Sequence, residues 1–384
     1  MIKNIGILSF SSPKSGGIFQ YTISLLEAFK LLLNKYNTIQ IRTENFPKIL
    51  NKEIIIKEKS SKTLKIKRIL SILTNFKFKN LTPNATDNFD LIISPITSFM
   101  PLYMYKPYII TIHDFQHKYY PEFFSPKERI IRSILYQKTA KKALFIVCES
   151  NYVKQDIINF LGIEHNKIHV IPSPPPKYIF DTKINSEKLN FIKNKYDLTK
   201  NFLFYPAQFW YHKNHINLIK ALHLIKVKYK QSINLVLVGS KKNNFENVIK
   251  EIQNLGLTEQ VKYLGYIPNE DMPYLYKLAT ALVMPTLFES VSMPIWEAFY
   301  LGCPVVSSNV CALPEQIGDA GLLFNPNNIE DIAEKIYKIF SNESLRATLI
   351  EKGHQKIKNF TIENYALQWD NLLNKAFQII IQNF

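Results

Sequence analysis

At 384 residues the chain is long for one domain and comfortable for two. Its 46% hydrophobic and 13% aromatic content is enough to fill two cores and excludes wholesale disorder. The net charge of +17, from 48 Lys and Arg against 31 Asp and Glu, favours nucleotides, phospholipid surfaces or nucleic acid as partners without choosing among them.

The N-terminal run Asn4–Phe10 leads into a glycine pair and reads as a first buried strand, not a signal peptide. Further strands are expected at Thr38–Arg42, Asp90–Ser94, Tyr108–Ile112, Leu144–Cys148 and Ile168–Pro172. Helical patterns lie between them at Ile18–Tyr36, Lys127–Lys141 and Asn151–Phe160, the last with Ser150 as its N-cap. A proline cluster, Pro172-Ser173-Pro174-Pro175-Pro176, ends the first half, and the α/β alternation then restarts. Its strands are expected at Phe202–Tyr205, Asn234–Val238, Val261–Leu264, Ala281–Met284, Pro304–Ser307 and Leu322–Phe324. From about Ile329 the pattern is helical, and a final amphipathic helix puts Tyr365, Trp369, Leu372, Leu373 and Phe377 near one face. This alternation predicts an α/β architecture with parallel sheets, divided as 1–176, 177–360 and a closing helix 361–384 that packs on the first domain.

No apolar run reaches the 18 residues that a membrane-spanning helix needs. Cys148, Cys303 and Cys311 have neither a Cys-x-x-Cys nor a zinc spacing, which fits a reducing, cytoplasmic setting. There is no Asp-x-Asp pair and no His/carboxylate cluster with metal spacing, so neither a metal nor a cofactor is expected.

Four turns carry candidate chemistry. Glu289 and Glu297 stand eight positions apart across a loop-to-helix junction, where Pro294 suits the helix's first turn. Glu289 would lie in the loop beyond a strand's carboxyl end and Glu297 in the first turn of the helix, with the N–H groups of Val291, Ser292 and Met293 left to donate. Two carboxylates so placed suit a polyol; equally, Glu289 could cap the helix and Glu297 offset its dipole. His212-Lys213-Asn214-His215 follows the second half's first strand, where a cation could hold a diphosphate or simply be solvated, with Asn214 as N-cap. Ser15-Gly16-Gly17 lets backbone approach a ligand at a helix N-terminus, though a glycine pair also serves an ordinary turn. His113-Asp114 ends another strand; His113 could donate to a sugar or phosphate oxygen with Asp114 orienting it, or be structural.

Together, in this order, these four turns resemble the retaining GT-B glycosyltransferases of family 4, the group 1 glycosyltransferases. Further matches are Leu235–Gly239, Gly265-Tyr266-Ile267-Pro268, Ala298–Val306 and Leu313–Gly321. The C-terminal half matches nearly throughout, the N-terminal half only at the glycine turn and the His-Asp turn. The resemblance implies two Rossmann-like domains facing across a cleft and a C-terminal helix crossing back to the first. It implies that Glu297 holds ribose hydroxyls and that Glu289 holds the donor sugar beside backbone of Val291, Ser292 and Met293. Lys213 would neutralise the diphosphate with help from His212. Backbone at Tyr266 and Ile267 would meet the base, Gly17 the phosphates or acceptor, and His113 the reacting sugar. The implied reaction is retaining transfer of a hexose from a nucleoside diphosphate sugar to a glycan or lipid-linked acceptor in surface polysaccharide or lipopolysaccharide biosynthesis. The His-Lys-Asn-His variant leans toward a GDP-mannose-type donor. Ser290 and Ser292 replace glycines common in the Glu-x7-Glu box, and Gln208 and His212 stand where many relatives carry Arg or Thr, and Arg, respectively.

Residues 52–79 hold nine Lys and Arg against two Glu, interleaved with isoleucines. That segment is expected to rest on an anionic membrane face, making the protein peripheral there, or else to be a solvated loop. Nucleic acid is not expected, since no recognised binding module accompanies the charge. Two other readings are a catalytically silent GT-B scaffold that binds membrane or polyanion, and a GT-B-like sugar-nucleotide epimerase. The silent scaffold should have lost Lys213 or a box carboxylate. Transfer, unlike epimerisation, releases nucleoside diphosphate only when acceptor is present.

Overall fold

The computed structural model describes residues 3–12, 16–56, 67, 88–198 and 200–382. The chain divides into two compact units: Met1–Pro174 with Thr361–Phe384, and Pro175–Phe360.

The first unit is built on strands β1 (Lys3–Ser9), β2 (Tyr36–Arg42), β3 (Glu53–Ile55), β4 (Leu91–Ser94), β5 (Tyr108–Thr111), β6 (Phe145–Cys148) and β7 (Ile168–Val170). They form one parallel sheet in the order β3-β2-β1-β4-β5-β6-β7. The strands are almost wholly apolar because both faces are covered. Leu91 and Ile93 enter one core with Leu25, Leu26 and Phe29 of helix Gly17–Lys30, while Ile92, between them, enters the other. Strand β3 is not among the strands expected from sequence, since it sits at the start of the Lys-rich run. Its Glu53 pairs in register with Gln40 and takes the Arg42 guanidinium at 2.5 Å, so an edge charge is neutralised inside the sheet. Of the basic stretch 52–79, residues 57–66 and 68–79 lie outside the described residues.

Ser150 accepts from the Val153 N–H at 3.3 Å and caps helix Asn151–Leu161. The last helix, Ile362–Gln382, belongs to this first unit. It buries Tyr365, Trp369, Leu372, Leu373 and Phe377, with Trp369 edge-on to Phe29 and Phe377 stacked on Tyr36. Its Asp370, itself buried, accepts from the Tyr36 hydroxyl at 2.9 Å and from Lys35 at 2.5 Å, which fixes the rotation of the helix.

In the second unit β8 (Phe202–Pro206), β9 (Asn234–Val238), β10 (Val261–Tyr263), β11 (Ala281–Met284), β12 (Val305–Ser308) and β13 (Gly321–Phe324) form a parallel sheet in the order β10-β9-β8-β11-β12-β13. Both sheets reverse their winding beside their first strand, between β1 and β4 and between β8 and β11. Ligands of open α/β sheets bind at the carboxyl ends of the strands at such a reversal. Just past β9, Gly239 has φ 140°, and a β-carbon there would sit 2.4 Å from the Ala207 carbonyl oxygen, so only glycine lets the β8 and β9 loops close up. Among the described residues no helix is long and apolar enough to cross a membrane.

Candidate active site

In the second unit the reversal point delivers two loops to one place. Strand β8 runs into the short 3-10 turn Tyr211–Lys213, and β11 into the loop that carries Glu289. The Lys213 ammonium pairs directly with the Glu289 carboxylate. The pairing rests on backbone stitching. The His212 carbonyl accepts from the Leu287 N–H at 2.7 Å and lies 3.1 Å from the Thr286 hydroxyl, and Tyr205 donates its hydroxyl to the Lys213 carbonyl at 2.7 Å. Asn214 stands at the N-cap position of helix His215–Lys228, as expected, but its side chain makes no capping hydrogen bond. It adopts a left-handed backbone at φ 56° and turns its amide to the carbonyls of Pro285 and Pro326, at 2.9 and 3.0 Å. Bridging two loops satisfies both of its amide hydrogens, which a cap would not.

His212 and His215 flank this lysine. Burial, reinforced by the Lys213 charge, pushes both rings down to about 3, so both are neutral near pH 7. His215 is packed away from solvent, stacked on Phe209 at 4.4 Å. The only cation contributed by the His212–His215 run is therefore Lys213.

Glu297 is the fifth residue of helix Met293–Leu301, one position beyond its first turn, and Pro294 occupies the start of that helix. It is 5% exposed and accepts two phenol hydrogens: Tyr178 at 2.9 Å on one oxygen and Tyr276 at 2.6 Å on the other. Burial raises its pKa, and the two tyrosine hydrogen bonds act in the opposite direction. Glu297 is thus held by phenols inside the unit, and the helix dipole is not what accounts for its place. Tyr266 is 78% exposed in the loop after β10, whereas Ile267 beside it is buried.

The Ser292 N–H is not left to donate to a ligand. Gln316, from helix Leu313–Ile317, clamps the Ser292 peptide with both ends of its amide, accepting from the N–H at 2.9 Å and donating to the carbonyl at 2.7 Å. The Ser292 hydroxyl itself is buried and has no hydrogen-bond partner among the described residues. Gln208, at the other departure from the family pattern, accepts from the Trp210 indole N–H at 2.9 Å.

In the first unit Gly16, at φ 62°, precedes helix Gly17–Lys30, and a side chain at Gly17 would meet nothing within 4 Å among the described residues. Ser15 lies outside the described residues. His113 follows β5 and uses both ring nitrogens: Nε2 on the Pro95 carbonyl at 2.8 Å and Nδ1 on the Glu149 carboxylate at 3.0 Å. Both partners are acceptors, so the geometry calls for a proton on each nitrogen. Burial alone would lower the imidazole pKa; the Glu149 hydrogen bond and charge, with the Pro95 carbonyl and the Asp114 charge, leave it raised. Asp114 is not the group that orients this ring. Its carboxylate accepts from the Gln116 N–H at 2.9 Å, closing a local turn. Tyr21, from the helix that Gly17 opens, meets the His113 ring edge-on at 4.7 Å and so holds the glycine turn beside it.

Sequence reasoning missed Glu149, Tyr178, Tyr276 and Gln316. Only Glu149 carried a usable signal, since it directly follows β6 at the carboxyl edge of the sheet. Among the described residues no three His, Cys, Asp or Glu side chains gather as a metal site.

Two family models cover most of the chain: Glycosyltransferase Family 4 over residues 17–174 and Glycosyl transferases group 1 over residues 186–356. The O-antigen chain mannosyltransferase B of Escherichia coli is 30% identical over 267 residues, spanning 68% of this chain and 69% of that protein. The O-antigen chain mannosyltransferase RfbU of Salmonella typhimurium is 24% identical over 331 residues, 85% of this chain and 87% of that one. The crystal structure of Anabaena Alr3699/HepE in complex with UDP and glucose superposes with a TM-score of 0.76 at 18% identity, covering 97% of this chain and 100% of the other.

Proposed function

The chain belongs to the group 1, family 4 glycosyltransferases and has their GT-B fold, and from that premise we propose that this glycosyltransferase moves a mannosyl residue from GDP-mannose, with retention, onto a growing surface polysaccharide such as an O-antigen chain. Support for the sugar comes from relatives named as O-antigen mannosyltransferases. Support for the site comes above all from one observation: loops from β8 and β11 meet at the winding reversal through the Lys213–Glu289 pair.

In this reading the donor diphosphate takes over the Lys213 ammonium. Bond cleavage at the anomeric carbon raises charge on the diphosphate, so a fixed cation there stabilises the transition state more than the ground state. Glu289, released from Lys213, accepts hydrogen bonds from sugar hydroxyls. Glu297, already oriented by two phenols, accepts from the ribose. Val291 and Met293 backbone lines the sugar side, and His212 stays neutral beside Lys213. The acceptor hydroxyl attacks from the leaving-group face. Its proton passes to the departing diphosphate oxygen as the old C–O bond breaks and the new one forms. The diphosphate charge is met by Lys213 and backbone donors, without a metal ion. Gly17 and an imidazolium at His113 serve the phosphates, the reacting sugar or the acceptor. The acceptor is a glycan or lipid-linked glycan at the cytoplasmic face of the membrane.

Thermal-shift titration against GDP-, UDP-, dTDP- and ADP-sugars tests the donor, because a ligand that binds the native state raises its midpoint. GDP-mannose should give the largest rise, and GDP should then be released only when acceptor is present. A larger shift with a UDP-sugar, or an inverted product by NMR, would overturn the proposal.

A further inference from the structure

Helix Pro126–Lys142 buries only Tyr136, Thr139 and Ala140, which lie on one narrow face. On the opposite face a second stripe runs at helical spacing through Lys127, Ile130, Ile131, Ile134 and Lys141. Its isoleucines are open to solvent, Ile130 at 61%, Ile131 at 44% and Ile134 at 39%, and Phe123 in the preceding turn is exposed as well. Scattered single apolar residues need no explanation, but three isoleucines within two turns on the outer face of one helix form a contiguous patch. The charge around them has one sign. The helix holds six Lys and Arg against one acidic residue, Glu128. That acid is occupied at the helix start, where its carboxylate accepts from the Ser125 N–H at 2.9 Å in a capping box.

We propose that this outer face of helix Pro126–Lys142 docks the protein on an anionic phospholipid surface. Isoleucines between lysines suit that surface and no neutral one. The apolar branches enter the headgroup boundary, and the lysine stems lie along it with their ammonium groups on lipid phosphates. A second copy of this chain would have to bring six positive charges against six. Charge complementarity therefore selects the membrane as occupant. The docking face shares no residue with the segment 52–79 or with the residues given a role in donor binding, so its test does not depend on the transfer reaction.

The test is flotation of the full-length protein, without donor or acceptor, on vesicles of phosphatidylethanolamine with phosphatidylglycerol and on vesicles of phosphatidylcholine alone. The protein should float with the anionic vesicles only. The triple variant Ile130→Ser/Ile131→Ser/Ile134→Ser should lose at least about tenfold in vesicle affinity. Lys127→Glu/Lys141→Glu should lose a similar amount, and high salt should weaken the parent protein. All these positions are exposed, so circular dichroism and the thermal midpoint should stay those of the parent. Equal binding to phosphatidylcholine, or undiminished anionic binding by both variants, would overturn the inference. So would absence of vesicle binding, with sedimentation velocity showing a dimer that the triple variant dissociates; that outcome would assign the face to a second copy.

Discussion

The two units share a strand order and a winding reversal beside the first strand, yet they assemble their candidate sites in opposite ways. In the second unit the reactive groups come from two short stretches, 212–215 and 289–297, and the fold supplies partners that hold them: Lys213 against Glu289, and Tyr178 and Tyr276 against Glu297. In the first unit nothing is contiguous. His113 depends on the Pro95 carbonyl from the β4 edge and on Glu149 from the β6 edge, with Ser173 donating to the far oxygen of Glu149 at 3.0 Å. A site concentrated in two segments leaves a spacing that can be read along the chain, whereas one collected from single residues at several strand ends does not. The electrostatics differ as well. The second unit sets a lysine beside two histidines, His212 and His215, that burial holds neutral. The first unit holds a histidine whose pKa the Glu149 carboxylate raises against the effect of burial.

The largest expected effect tests the second unit's reliance on one cation. Lys213→Ala should lower kcat by about a hundredfold, the scale for losing one donor aimed at developing charge. GDP and GDP-sugars should weaken far more than guanosine, and similar losses for all three in calorimetry would remove the diphosphate role. Next, Glu149→Gln tests whether the first unit runs on an imidazolium. With its pKa raised, the His113 pair contributes stability that is complete below the unfolded-state value of about 6.5 and is lost as pH rises through the folded value. The glutamine keeps an acceptor but removes the charge, so the alkaline limb of the rate profile should move to lower pH. A shift of about one unit would cost about tenfold in rate on that limb. An unmoved limb, together with an unmoved His113 titration by NMR, would leave Glu149 a purely structural partner. The smallest effect concerns the clamp. Gln316→Leu strands the Ser292 N–H and carbonyl and should cost about 1–3 kcal/mol in a denaturant titration. It should also raise KM for the donor more than it lowers kcat, and Gln316→Glu should recover only the half of the clamp that accepts. An unchanged KM would detach the clamp from donor binding.

How much was legible follows the same division. The α/β alternation was readable because buried parallel strands are nearly continuous apolar runs, as in Leu91–Ser94 and Ala281–Met284, and because Ser150 and Pro294 mark helix starts. Strand β3 was hidden by the charges around it, and its pairing becomes visible only when Arg42 is seen to neutralise Glu53. Lys213 and Glu289 could be picked from their turns. Their contact could not, since it depends on β8 lying beside β11, strands whose paired residues are nearly eighty positions apart in the chain.

The order of residues by itself determined two α/β units, the aromatic face of the last helix, and the box that marks the family, whereas the units part at Pro174/Pro175, inside the proline cluster and not after Pro176. Each of these is a local pattern of apolar spacing, turn chemistry or contiguous motif, and local patterns survive without coordinates. Tertiary structure alone decided that Glu149 rather than Asp114 orients His113, that the amide of the N-cap residue Asn214 bridges two loops instead of bonding the helix start, and that Gln316 occupies the Ser292 peptide. It also decided that the isoleucines of helix Pro126–Lys142 face outward. Partners in all these cases come from distant segments or from the choice of buried face, and those are set by which strands lie side by side, not by neighbours along the chain.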